Sequence, residues 1–375
     1  MNSISSLKAS TSKLLLAASL LSGVVLANPA AAAASYTLTD LGFLGGTLQD
    51  INNNGDIIGA TYDSNGRASS YLYSGGVKTS LGTLGGNNTQ AYQINDQGQI
   101  TGYSYNASGV RRTFLYSNGA MTDISVGANA VSNPGGINNK GQVVFSEGGT
   151  TYVYDHGVTT SLGAIGMATG INNNGAVIGS TANNHGFLYS NGNTTDIGLL
   201  PSSADPFGWW SETGISATPM AINNSGVVVG TAGISRVTAF GSYGYERPFI
   251  YQNGVLADLG GLAPDYLYTS TNARDINSEG QIVGSSYANE YPEHAFVYEN
   301  GTMLDLNSLI APNSGWKLVQ ATAINDKGQI IGYGTYNNIS GNRAFLLNPV
   351  PIPASAWMLG SGLAGLVGMS RRRTS

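Results

Sequence analysis

The chain has 375 residues, of which only 10% are charged, and its formal net charge is −5. It contains 53 glycines and no cysteine, which excludes a disulfide-stapled scaffold and is typical of short strands joined by many turns. Residues 35–350 carry 11 Lys and Arg against 21 Asp and Glu, a net charge of −10. Because an acidic surface repels phosphate backbones, the composition argues against nucleic acid as a partner.

The first 34 residues are predicted to be a secretory signal peptide. Lys8 and Lys13 precede an apolar run over residues 14–26, and residues 27–34 offer several Ala-x-Ala cleavage points. The apolar run is shorter than the roughly 20 residues that a membrane-spanning helix needs. We therefore expect an exported protein whose mature body begins near residue 35.

The body repeats one nine-residue pattern, Ile-Asn-x-x-Gly-x-β-β-Gly, where β is a strand-forming residue. The copies lie 34 to 54 residues apart, a period typical of stacked supersecondary units. They begin at Ile51, Ile94, Ile137, Ile171, Ile222, Ile276 and Ile324.

Each unit is predicted to contain four short strands. In the sixth copy these cover residues 271–276, 280–285, 294–298 and 302–306, where β-branched and aromatic residues alternate with polar ones. Asn-x-x-Gly joins the first two strands and Tyr-x-x-Gly joins the last two, and both loops fit tight hairpins. Seven such antiparallel meanders predict an all-β fold, a seven-bladed β-propeller that occupies residues 35–349 as one domain.

The two ends of the body are predicted to complete one blade together. The seventh unit lacks its fourth strand after Asn348, whereas residues 36–42 match the fourth strands of other units. Pairing these segments would close the ring and remove two exposed sheet edges. An open β-solenoid is the alternative architecture.

Loop length differs between the two ends of the predicted ring. The hairpins that join strand one to two and strand three to four are tight in every complete unit. All the variation in loop length therefore falls at the opposite end of the ring, which we name the built-up rim. Its long segments are residues 199–218, 231–247, 262–272, 287–293 and 307–320.

Aromatic residues are concentrated in these long segments, among Asn, Asp and Ser. Such a mixture suits sugar rings, whose C–H faces stack on aromatic rings while their hydroxyls form hydrogen bonds. For Trp209 and Trp210, packing of the loops on one another is an equal alternative, and for Trp316, which leads into a strand, packing is preferred. The candidate ligand-binding residues are Trp209, Trp210, Tyr243, Tyr245, Tyr266, Tyr268 and Tyr291.

Residues 350–375 differ in character from the repeats. A proline spacer is followed by an apolar, glycine-rich stretch and a basic end, an arrangement that suits transient contact with a membrane during export. Retention as a membrane anchor is the alternative. The residues that define this tail are Val350, Pro351, Pro353, Arg371, Arg372 and Arg373.

Two sequence signals together resemble known families. The Ile-Asn repeats alternate with His-Ala-Phe-Val-Tyr at residues 294–298 and Leu-Gly-Thr-Leu-Gly-Gly at residues 81–86, and these resemble the HAF-family extracellular repeat. The tail resembles the PEP-CTERM sorting signal in its Val-Pro-x-Pro-Ala variant, with Pro-Ile-Pro in place of Pro-Glu-Pro. The resemblance implies secretion across the inner membrane of a Gram-negative bacterium, an exosortase-type partner and a cell-surface or extracellular location, and it transfers no catalytic residues.

The body contains few residue patterns typical of catalytic or metal sites. His156, His185 and His294 lie in different units without metal-ligand spacing, so we predict structural or surface roles for them. The Asn- and Asp-rich turns, such as residues 63–66, leave Ca²⁺ as a stabilising alternative, although left-handed turns alone explain the asparagines. No cofactor is predicted.

The leading functional hypothesis is a non-catalytic propeller of the cell surface or the extracellular (biofilm) matrix. It would bind a polysaccharide or a surface protein through the built-up rim. One alternative is a purely structural matrix scaffold. The other is a glycosidase or polysaccharide lyase that uses a pair of rim carboxylates. The candidates are Asp205, Glu212, Glu246, Asp265, Glu290 and Glu293.

Overall fold

The computed structural model describes residues 35–350 except Phe43, Gly45, 205–208, 264–269, 288–292 and Asn338, and it leaves out the side chains of Ser340 and Asn342. The described residues form 29 strands and one short 3₁₀ turn, Leu306–Ser308. None of them belongs to a helix with the length and apolar character needed to cross a membrane.

The strands group into seven blades, which we number by their Ile-Asn motifs. Blade 1 contains β2 (Thr47–Ile51), β3 (Ile57–Tyr62), β4 (Ala68–Ser74) and β5 (Val77–Ser80), and blade 2 contains β6 (Gly85–Ile94), β7 (Ile100–Asn106), β8 (Arg111–Ser117) and β9 (Ala120–Asp123). Blade 3 contains β10 (Ser132–Ile137), β11 (Val143–Glu147), β12 (Thr150–Asp155) and β13 (Val158–Gly163), and blade 4 contains β14 (Met167–Ile171), β15 (Val177–Ser180), β16 (Gly186–Ser190) and β17 (Asn193–Gly198).

The remaining blades depart more from the repeat. Blade 5 contains β18 (Ser203–Ala204), β19 (Trp210–Ile222), β20 (Val228–Thr238), β21 (Gly241–Gln252) and β22 (Val255–Asp258). Blade 6 contains β23 (Thr271–Ile276), β24 (Ile282–Tyr287), β25 (Glu293–Glu299) and β26 (Thr302–Asp305). Blade 7 contains β27 (Trp316–Ile324), β28 (Ile330–Tyr336), β29 (Ile339–Pro349) and, from the start of the body, β1 (Tyr36–Gly42).

Each blade is an antiparallel meander, and the seven blades form a closed ring. The predicted seven-bladed propeller is therefore confirmed, with one addition: the two-residue strand β18 gives blade 5 a fifth strand.

The ring closes as predicted, because β1 is the outer strand of blade 7. It pairs antiparallel with β29, from Tyr36 opposite Pro349 to Gly42 opposite Ala344. Arg343 also donates a 2.6 Å hydrogen bond to the Asp40 carboxylate across this pair. The same pairing of Arg or His, on or just before a third strand, with an aspartate on the fourth recurs at Arg112–Asp123, His185–Asp196, Arg247–Asp258 and His294–Asp305. The closing strand thus reproduces the contacts of a strand within one blade.

The asparagine of the repeated motif links each blade to the next. Its Nδ2 donates to the main-chain oxygen of the corresponding asparagine in the following blade, at 2.9 to 3.2 Å, and the seventh bond returns to blade 1. Its Oδ1 accepts main-chain N–H groups two and four residues later, as Asn172 does from Asn174 and Ala176. The members of this asparagine ring are Asn52, Asn95, Asn138, Asn172, Asn223, Asn277 and Asn325, all buried.

The last glycine of the motif lies against an aromatic ring of the third strand. In blade 7, a Cβ added to Gly332 would lie 2.0 Å from the Gln320 main-chain oxygen and 2.6 Å from the Phe345 ring. Phe345 is fully buried, as are the corresponding Phe114, Phe187, Phe249 and Phe296. Glycine at this position lets the strand and the ring approach closely. Blade 3 departs from the motif, with Phe145 in place of the glycine and stacked on Tyr152 at a ring-centroid distance of 5.5 Å.

Candidate functional site

The built-up rim carries an arm of β-sheet rather than the predicted loops at residues 199–218 and 231–247. Strands β19, β20 and β21 have 13, 11 and 12 residues and continue well beyond the ring. They pair as far as Trp210 opposite Thr238, and Thr238 opposite Gly241. We define the arm as residues 210–216, 233–238 and 241–246. Its regular pairing makes it a rigid projection, because its main-chain polar groups are satisfied within the sheet.

A polar network holds one face of the arm together. The Glu212 carboxylate accepts hydrogen bonds from the Arg236 guanidinium and the Tyr245 hydroxyl. Arg236 also lies over the Trp210 ring, 4.6 Å from its centroid. Although burial opposes ionisation, the bonds from Tyr245 and Arg236 lower the pKa of Glu212. The structure therefore places the candidates Trp210 and Tyr245 in packing positions, with Tyr245 only 7% exposed.

The tip of the arm presents apolar side chains to solvent. Phe240 is 93% exposed, Trp209 77%, Val237 52% and Tyr243 41%. We call these four residues the apolar tip. Phe240 and Val237 were not among the sequence candidates, because only the strand pairing brings them to the end of the arm where Trp209 lies. Val237, opposite Ser211, and Tyr243, opposite Arg236, lie on different faces of the arm, so the apolar tip surrounds its end. Several large apolar side chains exposed at one end of a projection are typical of an interaction site.

Several predicted residues lie elsewhere. Tyr266, Tyr268, Tyr291 and all of the tail beyond Val350 lie outside the described residues, as do Asp205, Asp265 and Glu290. Val350 donates its main-chain N–H to the Ser35 oxygen at 2.9 Å, next to the closing strand. Trp316 is half-buried, 5.7 Å from the Tyr336 ring and 6.3 Å from the Phe345 ring, which is a packing position.

A second candidate site, which the sequence did not indicate, is the central channel. The first full-length strand of each blade lines it, namely β2, β6, β10, β14, β19, β23 and β27. Thr47, where β2 begins, lines a wide cavity of about 690 Å³, whereas Asn52, just beyond the end of β2, lines a narrow cavity of about 150 Å³. Because the arm extends the beginning of β19, the wide cavity opens on the built-up rim.

Two aspartates line both cavities and connect neighbouring blades. Asp50 accepts main-chain N–H bonds from Ile51 and from Ile94 of blade 2, and Asp275 accepts them from Ile276 and from Ile324 of blade 7. Burial in the channel raises the pKa of both carboxyls, that of Asp275 to about 6, against the lowering effect of these N–H groups. Because both oxygens of each carboxylate already accept main-chain hydrogen bonds, we infer that Asp50 and Asp275 serve to join neighbouring blades.

These aspartates should make the protein more stable at mildly acid pH. Because the pKa of Asp275 rises from 3.8 to about 6 on folding, the folded state binds more protons, so stability falls as pH rises through about 4 to 6. Between pH 5 and pH 7.5 the loss is roughly 1 kcal/mol for Asp275, or about 1–2 °C in Tm, and Asp50 adds to it. Thermal melting at the two pH values measures this, and Asp275→Ala should reduce the difference. An equal or higher Tm at pH 7.5 would contradict it.

The described rim carboxylates lie in three different settings. Glu212 is held in the arm network, Glu246 lies on a different strand with its main-chain N–H bonded to Ser270, and Glu293 begins β25 in blade 6. Within the described part of the chain, no three His, Asp or Glu side chains are grouped as a metal site would require. The predicted Ca²⁺ alternative stays untested.

Comparison with known proteins finds similar solved structures but no matching family. No protein-family model and no curated protein matches the sequence. Similar solved structures include the extracellular domain of a hybrid two-component system from B. thetaiotaomicron, at 14% identity and a TM-score of 0.48 over 83% of this chain. This chain spans only 39% of that longer one.

Two further similar structures are matched over most of their own length. YCF48 bound to D1 peptide has 12% identity and a TM-score of 0.46, covering 85% of this chain and 96% of that one. A gluconolactonase from Xanthomonas campestris has 12% identity and a TM-score of 0.38, covering 86% and 93%. At these identities and TM-scores, the similarities say nothing about what this chain does.

Proposed function

We propose that this protein is an exported, non-catalytic binding propeller that holds an extracellular polysaccharide on its built-up rim. The observation that carries the proposal is the apolar tip, where Trp209 and Phe240 are among the most exposed apolar side chains described. The arm also carries hydroxyl groups, since Ser235 and Ser242 are bonded to each other at 3.3 Å on the face that contains Val237. Aromatic faces beside hydroxyl groups are suited to sugars.

Rigidity favours binding through this arm. The Glu212, Arg236 and Tyr245 network fixes the strands that carry the tip. A preorganised surface loses little conformational entropy when a ligand binds, so more of the contact energy contributes to affinity. A surface protein would also fit an apolar tip, and it is the alternative outcome of the binding test.

The cellular setting is proposed from sequence. The signal-like residues 1–34 and the PEP-CTERM-like tail from Val350 onward support export across the inner membrane of a Gram-negative bacterium and handling by an exosortase-type enzyme. The HAF-type repeats supply the propeller on which the arm is built.

A glycan array combined with a hydrolysis assay tests the proposal directly. The purified protein should retain specific glycans and release no reducing ends from them. Turnover of a bound polysaccharide would show that the protein is an enzyme rather than a binding protein. If the protein retains a surface protein and no glycan, the ligand is a protein and not a polysaccharide.

Loss of the apolar tip should weaken glycan binding without unfolding the protein. Trp209→Ala combined with Phe240→Ala should lower the affinity at least tenfold, about 1.4 kcal/mol, while Tm stays constant because both side chains are exposed. Isothermal titration calorimetry with the glycan selected on the array measures the change. The matched control is Val77→Ala with Val158→Ala, two exposed apolar residues on hairpins of the opposite rim. Unchanged affinity in the tip variant would remove the arm from the site.

A further inference from the structure

The wide cavity of the channel has a lining that is suited to a ligand rather than to packing. It is bounded by all seven blades and contains three tyrosines, Tyr92, Tyr103 and Tyr333. Tyr92 is 37% exposed and packs edge to face on Tyr103, with ring centroids 5.9 Å apart. The Tyr333 hydroxyl is inaccessible to solvent and has no hydrogen-bond partner among the described residues. What the cavity gains from these residues is their rings, which supply aromatic faces of the kind that stack on sugars.

Two arginines in this cavity lack a carboxylate partner within the described residues. Arg111 on blade 2 and Arg274 on blade 6 both line it and are half-buried. Four other arginines of the body do form salt bridges with Asp or Glu. They are Arg112, Arg236, Arg247 and Arg343. The cavity also contains the carboxyls of Asp50 and Asp275, so Arg111 and Arg274 form a locally basic part of a mixed lining in a body with a net charge of −10.

Neutral amides hold these two arginines in place. Arg111 donates to the Asn133 side chain and lies 5.4 Å from the Tyr103 ring centroid, while its Nε is buried without a partner. With the Gln320 amide turned so that its oxygen meets Arg274, Nη2 and Nε lie 2.8 and 3.3 Å from that oxygen. An amide orients a guanidinium without neutralising it, so each arginine keeps its charge for an anion.

The cavity continues toward the arm. A second cavity of about 330 Å³ shares Met220 and Arg274 with the first and extends between blades 5 and 6. Hydroxyls of Ser216 and Thr218 and the Glu246 carboxylate line it at the base of the arm. The cavities therefore offer an elongated path from the arm to the channel, which suits a chain rather than a single small molecule.

The cavity floor limits where an anion can lie. Asp50 and Asp275 line the channel with the oxygens of both carboxylates already accepting main-chain hydrogen bonds. Where these carboxyls are ionised, their charge opposes deep entry of an anion, so acidic groups of a ligand should stay near the arginines. Guanidinium groups next to tyrosine rings provide both of the contacts that an acidic sugar makes, a charged hydrogen bond and a stacking face.

We propose that the wide cavity binds an acidic oligosaccharide, with uronic acid carboxylates paired to Arg111 and Arg274 and sugar rings against Tyr92, Tyr103 and Tyr333. The inference rests on the proposed polysaccharide binding and specifies its class. It also assigns a second contact region, distinct from the apolar tip. The ligand chain would run from the arm, past Arg274, into the channel.

Calorimetry with tetragalacturonate and its carboxyl-reduced neutral counterpart tests this assignment. The protein should bind the acidic probe at least tenfold more tightly, and the preference should shrink as salt concentration rises. Arg111→Gln and Arg274→Gln should each weaken the acidic probe at least tenfold and leave the neutral probe unchanged. Arg67→Gln, at an exposed arginine outside the cavity, is the matched control and should change neither.

The competing outcomes are distinct. Equal affinity for tetragalacturonate and its neutral counterpart would overturn the proposal. So would an affinity for tetragalacturonate that neither Gln variant weakens. Tighter binding of a sulfated galactan tetrasaccharide than of tetragalacturonate would overturn it as well. Thermal melting confirms that each variant is folded, and Arg274→Lys, which keeps the charge, should retain part of the affinity. If the tip variant abolishes glycan binding while both Gln variants bind normally, the rim function stands and the channel inference fails.

Discussion

Deletion of residues 35–42 should leave the propeller unable to fold as a closed ring. The segment contains β1, the outer strand of blade 7, so its loss exposes the edge of β29 and removes Tyr36 from the core formed by blades 6 and 7. It also removes Asp40, the partner of Arg343. We expect aggregation, or a Tm lower by more than 10 °C, in thermal melting and size-exclusion chromatography.

Two controls make this result specific to strand pairing. Thr37→Ala with Thr39→Ala changes exposed side chains of β1 but keeps its backbone bonds, and it should leave Tm nearly unchanged. A peptide of residues 35–42 added to the truncated protein should recover part of the lost stability, since it can occupy the vacant edge. A truncated protein that melts at the temperature of the intact one would show that closure contributes nothing to stability.

Substitution of one asparagine in the ring should cost nearly as much as a core truncation. Asn172→Ala removes the bond to the Asn223 oxygen and the two bonds that Oδ1 accepts from Asn174 and Ala176. Because Asn172 is only 5% exposed, the groups left behind lack water as a substitute. We expect the free energy of unfolding to fall by about 3 kcal/mol, measured by urea denaturation.

A second substitution separates the turn from the link between blades. Asn172→Asp keeps an oxygen for the Asn174 and Ala176 N–H groups but loses the donor to Asn223 and places a carboxylate against that carbonyl. It should therefore destabilise too, and more at pH 7 than at pH 4, where the carboxyl is protonated and can donate. Asn193→Ala, at an exposed asparagine of the same blade, should change stability by less than about 0.5 kcal/mol. Equal effects at residues 172 and 193 would contradict the ring interpretation.

The repeated motif could be recognised from sequence, but the purpose of its asparagine could not. The spacing from Asn to Gly predicted a tight turn, and Asn172 does accept the turn bonds. The bond from Asn172 to Asn223 joins residues 51 positions apart, and it exists only because neighbouring blades meet at the channel. The same asparagine thus stabilises its own turn and joins two blades, and only its role in the turn can be recognised from the neighbouring sequence.

The arm shows a similar division. Two long variable segments predicted where ligand-binding residues would lie, and Trp209 is exposed at that end of the ring. The sequence could not distinguish loops from extended strands there, because glycine, serine and tyrosine occur in both. Packing and binding were equal alternatives for the adjacent Trp210, and the position of Arg236 over its ring favours packing.

Sequence by itself determined the strand-turn-strand periodicity, the number of blades and the strand that closes the ring, because each depends on residues near one another in the chain or on matching segments at its two ends. Tertiary structure alone decided the channel: Arg111 and Arg274 line one cavity although they belong to blades 2 and 6. No pattern marks either arginine, since a half-buried cation without a carboxylate partner is defined by what surrounds it in space. The physical reason is that secondary structure follows local backbone and side-chain preferences, whereas the charge and shape of a cavity arise only when distant strands meet around a common axis.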